Sequence, residues 1–146
     1  MIKYEDDFYG WTQEQAELLC LNVVSGLDTV HIAEEIEAIG MNEKRAISRQ
    51  LQRLLAHLLK WRYQATHRTP SWRRSIRQAR DTIADVLEDS HTLDDYPAQR
   101  LRIAYRRARR DAAEDTGLPL ATFPESCEWS IDEILREGFL PLDTGE

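Results

Sequence analysis

Along residues 42–64 the chain reads NEKRAISRQLQRLLAHLLKWRYQ, with apolar side chains at Ile47, Leu51, Leu54, Leu58 and Trp61. Steps of four, three, four and three residues put these on one face of a helix, which Leu55 and Leu59 widen into a core-facing stripe. Asn42 is the predicted N-cap, since its side chain can accept from the free N–H groups of the first turn. The rest of the chain is expected to pack around this helix.

The same periodicity predicts further helices on either side. Thr12 and Gln15 have capping-box spacing and open a helix over residues 13–24, buried through Ala16, Leu19 and Val23 and ended by Ser25-Gly26. A shorter helix over 29–39 has Asp28 as N-cap, the stripe Ile32, Ile36 and Ile39, and Gly40 as a left-handed C′ residue. After Pro70, Ser71 caps a helix to residue 88 with Trp72, Ile76, Ala79, Ile83 and Val86 at the steps of the central helix. The two are therefore expected to form an antiparallel hairpin. Pro97 opens a helix to residue 115, with Leu101, Tyr105, Ala108 and Ala112 as its seam and Gly117 as C′. Residues 118–129 lack a period and are expected to cross the surface in extended form. Ser130 and Glu133 then cap a short helix over 131–137, closed by Gly138, after which Phe139, Leu140 and Pro141 return to the core. No stretch alternates as a strand would. The fold class is all-α: a single-domain helical bundle of about six helices over residues 1–146, built on three long ones. Residues 1–11 form an aromatic and acidic segment lying against it, and residues 142–146 a frayed tail.

Charge changes this picture. The net charge of −7 conceals segregation: residues 1–43 carry one base and ten acids, residues 44–110 seventeen bases and six acids, and residues 111–146 one base and ten acids. The simplest expectation is that the acidic ends neutralise the arginines, with carboxylates within about 4 Å of Arg45, Arg49 and Arg106. An open basic face would instead point to an anionic partner. The N-terminus lacks an apolar signal region and no run is long enough to span a bilayer, which suggests a cytoplasmic protein. Cys20 and Cys127 are expected to be free thiols.

Several segments together are distinctive: Tyr4 with DFYGWT at 7–12, AEEIE at 33–37, LLAHLLKWRYQ at 54–64, SWR at 71–73 and AYRRAR at 104–109. In this order the chain resembles the bacterial family called domain of unknown function 29, over about residues 4–141. The resemblance implies a small all-helical domain. It implies no activity, so it assigns no functional residue. Where family members tend to carry an acid, this chain has His31.

Three sets of residues could carry chemistry. His31, Glu34 and Glu37 share one helix, and bundle metal sites use such side chains from facing helices. No second Glu-x-x-His element answers them, so pairing of the glutamates with Arg is expected instead, with no metal and no cofactor. Arg62 with His67 has the spacing of an Arg–His phosphodiester motif, Arg for phosphate and His for proton transfer, with His57 a further titratable group. Arg73, Arg77, Arg80, Arg106 and Arg109 could grip phosphates. Weighed together, these features favour a non-enzymatic interaction or regulatory module acting through a protein partner or self-association. A nucleic-acid binder or small toxin-type ribonuclease is the alternative.

Overall fold

The structure, a computed structural model, describes residues 1–142, and the expected frayed tail falls largely outside them. Five α-helices follow one another: α1 (Phe8–Cys20), α2 (Thr29–Tyr63), α3 (Pro70–Asp89), α4 (Tyr96–Thr116) and α5 (Ile131–Leu135). Single 3₁₀ turns lie in the connections, and the described residues contain no strand. The all-α class holds, with five helices among the described residues where about six were expected. No helix among the described residues is long and apolar enough to cross a membrane. Both cysteines are free.

The missing boundary lies at Gly40. α2 runs through it without interruption, and among the described glycines only Gly117 and Gly138 take a positive φ. One helical glycine costs about 1 kcal/mol relative to alanine. Ending a helix there and nucleating a second one gives up several backbone hydrogen bonds, a larger loss. Gly40 is therefore not a C′ residue and Asn42 is not an N-cap.

Internal contacts divide the chain into two compact units, Met1–Asn42 and Glu43 onward. In the first, Asp7 and not Thr12 caps α1: its carboxylate accepts from the Gly10 N–H at 2.9 Å. Thr12 sits inside the helix and donates to the Tyr9 carbonyl. The buried side of α1 is Trp11 and Gln15, while Ala16, Leu19 and Val23 are exposed. The large indole displaces the expected stripe because Asp28 receives its N–H at 3.0 Å and Gln15 accepts from the Asp28 backbone N–H. The helix ends at Cys20, with Leu21 as its C-cap, followed by Asn22 at φ 58°, a left-handed position that asparagine tolerates.

The second unit holds the main core. Leu51, Leu54, Leu55, Leu58 and Leu59 of α2 pack with Ile76, Ala79 and Ile83 of α3 and with Ala104, Tyr105, Ala108 and Ala112 of α4. Leu54 and Leu58 are fully buried and Trp61 is 8% exposed, as the spacing predicted. Thr69, not Ser71, caps α3 by accepting from the Trp72 N–H, with Pro70 in the first turn. Lys60 and Trp61 at the end of α2 meet Trp72 and Arg73 at the start of α3. α4 stops at Gly117, φ 73°, and the Ser130–Glu133 capping box opens α5, which ends sooner than predicted, at Leu135. Tyr105 donates to the Pro124 carbonyl and Arg109 to that of Phe123, tying the irregular segment across α4 and seating the Phe123 ring in the core.

Candidate functional site

The histidine of the first unit sits in a ring cluster. His31 stacks on Tyr4 with centroids 4.2 Å apart, and the Trp11 ring meets it edge-on. Its Nδ1 lies 2.7 Å from Asp28 Oδ2 and its Nε2 3.4 Å from Glu5 Oε1. The hydrogen bond with Asp28 raises the His31 pKa, and the same bond lowers that of Asp28. Tyr4 donates to Glu35, which pushes the phenol pKa up. Glu34 acts on this cluster through its charge, which adds to the upward pKa shifts of Tyr4 and His31, and makes no hydrogen bond or ion pair there among the described residues. Among the described residues no three His, Cys, Asp or Glu side chains gather where they could hold a metal, and neither Glu34 nor Glu37 joins an ion pair.

Arg62, His67 and His57 each engage different groups. Arg62 donates to the Leu142 carbonyl, and the His67 ring meets the Thr66 hydroxyl. His57 lines a shallow recess of about 240 Å³ with Arg49, Arg53 and Asp111. Burial holds its pKa below the usual value, and its Nδ1 lies 2.9 Å from the Arg53 carbonyl. No phosphate-gripping Arg–His pair forms.

Of the five arginines read as a grip, Arg73, Arg77 and Arg80 share one cavity, about 440 Å³ in volume. Arg80 is 8% exposed. It donates from Nε to the Ile134 carbonyl at 2.8 Å and from Nη2 to that of Phe139 at 2.6 Å, and burial lowers its pKa. Arg109 is committed to Phe123, and Arg106 is exposed on α4. Self-neutralisation does not extend to Arg49 and Arg106, which have no carboxylate within 4.0 Å among the described residues. Arginines in this unit more often reach backbone carbonyls or lie over rings, as Arg73 does over Trp61 at 5.3 Å. Lys60 with Asp115, at 3.2 Å, is a direct ion pair between helices.

Sequence reasoning missed a surface feature of the first unit. Of fourteen exposed large hydrophobic side chains among the described residues, twelve lie before Asn42. They include Leu19, Val23, Ile36 and Ile39, all expected in the core. Ile36 and Ile39 are each 64% exposed. These positions were legible as amphipathic, but spacing does not say what covers an apolar face.

A family model for the domain of unknown function DUF29 matches residues 3–140, nearly the whole length, and the chain belongs to that family. No curated protein and no solved structure matches it.

Proposed function

From a family without an assigned activity as the premise, we propose that this protein is a non-enzymatic interaction module that docks a protein partner through its first 42 residues. The observation behind this reading is the concentration of exposed apolar side chains there. Magnitudes favour it over a reading built on the arginines. An arginine without a carboxylate stays hydrated and forgoes only ~0–1 kcal/mol. A large apolar side chain left in water forgoes about 1.5–3 kcal/mol of burial, and a concentration of such side chains in one segment favours an interface. The rim selects the partner: residues 1–42 carry nine acids and one base, so a partner with a basic rim fits better than a second copy of the same face. We place this module in the bacterial cytoplasm, on its free thiols and its bacterial family resemblance.

The test compares wild type with the exposed double variant Ile36→Asp/Ile39→Asp, by affinity capture from the native cell and by sedimentation velocity. The expected result is a protein captured by wild type and lost with the variant, at unchanged helicity. Capture that survives the substitutions overturns the reading, and a wild-type dimer that they dissociate replaces the partner by self-association.

A second reading, nucleic-acid binding, is favoured by Arg49 and Arg106 lacking carboxylate partners among the described residues. It requires binding to a short duplex that weakens steeply between about 50 and 200 mM salt. Absence of binding at the lower salt removes it.

A further inference from the structure

The cavity beside α3 has a composition that a packing gap does not. Arg73, Arg77 and Arg80, at i, i+4 and i+7, line its α3 side. Ile76, Leu135 and Leu140 supply apolar lining. Its volume of about 440 Å³ lies within the roughly 300–1,000 Å³ of small-molecule sites. Arg80 is nine-tenths buried, yet the two groups it reaches are carbonyls, and no carboxylate lies within 4.0 Å of it among the described residues. Carbonyl dipoles satisfy two of its donors but leave a full positive charge in a desolvated place. Such a charge is ordinarily matched by a counter-charge. Arginine cannot escape by losing its proton, since guanidinium stays charged in proteins.

We propose that this cavity binds a small amphiphilic monocarboxylate, its head group held by Arg77 and Arg80 and its alkyl tail laid on Ile76, Leu135 and Leu140. One negative charge fits better than several, because Asp81 and Glu137 also line the cavity and leave it one positive charge in excess. A diphosphate or a nucleic-acid strand would meet those two acids. Of the two arginines, Arg80 is already positioned, held by two carbonyls and lying over the Phe139 ring at 5.9 Å. Less ordering is then needed when an anion arrives. The lining residues Arg73, Arg77, Arg80, Leu135 and Leu140 all belong to the second unit.

Calorimetric titration of the full chain with sodium octanoate below its micelle concentration tests the assignment, with 1-octanol and inorganic pyrophosphate as comparison probes. Octanoate is expected to bind saturably at one to one, and octanol at least tenfold more weakly. Arg77→Gln, at an exposed position, is expected to weaken octanoate about tenfold by removing a charge-assisted contact. Ala84→Phe, which puts bulk at an exposed lining position, is expected to block binding. Arg74→Gln, on the same helix but outside the lining, is expected to leave it unchanged. Circular dichroism establishes that each variant is folded. Octanol binding as tightly as octanoate, pyrophosphate displacing it at equal concentration, or indifference to Arg77→Gln and Ala84→Phe overturns the proposal.

Discussion

His31 Nδ1 lies 2.7 Å from Asp28 Oδ2, and the same carboxylate oxygen accepts the indole N–H of Trp11 at 3.0 Å. One carboxylate thereby joins the start of α2 to the buried ring of α1. The Asp28 backbone N–H completes the junction through Gln15.

That junction fixes the sign of a pH dependence. His31 has a raised pKa, chiefly through its hydrogen bond with Asp28, so its contribution is fully present below its unfolded value of about 6.5. It is lost as pH rises through the higher folded value. Asp28 has a lowered pKa through the same bond, so its contribution is present above about 3.9 and lost as pH falls through its folded value. The first unit is thus expected to be best ordered between roughly pH 4 and 6.5. An imidazole NMR titration should place the His31 midpoint above that of a free histidine, and Asp28→Asn should bring it down. A wild-type midpoint at or below 6.5 would sink this account.

Leu58 and Ile36 occupy equivalent positions in their respective apolar stripes, yet one is fully buried and the other 64% exposed. Leu58→Ala should cost about 2–5 kcal/mol in a urea titration through lost contacts and a cavity. Ile36→Ala should stay within about 0.5 kcal/mol. Equal losses at the two sites would contradict the exposure of Ile36 and weaken the docking reading with it.

This pair also marks how far the sequence could be read. From Ile47 to Ala112 the steps of three and four identify helices and buried faces together, because each stripe meets other stripes in one core. Before Asn42 the steps at Ile32, Ile36 and Ile39 are equally regular, but Ile36 and Ile39 do not reach a core. Trp11 and Gln15 are buried in place of Leu19 since hydrogen bonds to Asp28 and its N–H decide which side of α1 turns inward. Capping boxes were legible only where nothing nearby competed: Ser130 with Glu133 forms one, whereas Asp7 preempts Thr12. The Arg80 contacts span 54 and 59 residues, and no local pattern encodes a partner that distant.

Gly40 offers a direct check on the continuous helix. A Cβ placed there meets nothing within 4 Å, and the backbone is helical. Gly40→Ala should therefore raise stability by about 0.5–1 kcal/mol, the usual helical preference for alanine. At Gly117, φ 73°, the same change should lower it by about 1 kcal/mol, because a side chain is strained in the left-handed region. Thermal melts of the two variants should move in opposite directions. A fall for Gly40→Ala would restore the helix break at that residue.

Arg80 acts as the clasp of the C-terminal segment. It bridges the carbonyl of Ile134, in the last turn of α5, and that of Phe139 just beyond Gly138. Both would otherwise lack these donors once Phe139 and Leu140 pack against the core. Arg80→Met keeps the apolar stem but removes both bonds, and should cost about 3–6 kcal/mol, since bonds from a charged donor are worth roughly 1.5–3 kcal/mol each. Arg80→Lys should recover only part of this, because a single ammonium on a flexible stem does not reproduce the planar fork. The opening should also be local. Arg136 is exposed and lies between the two clasped carbonyls, so limited trypsin digestion followed by mass spectrometry reports whether the segment lifts. Faster cleavage after Arg136 is expected in Arg80→Met, with Arg80→Lys in between. If Arg80→Met lowers global stability while cleavage after Arg136 rises no more than at other exposed arginines, the guanidinium supports the bundle as a whole and does not clasp this segment.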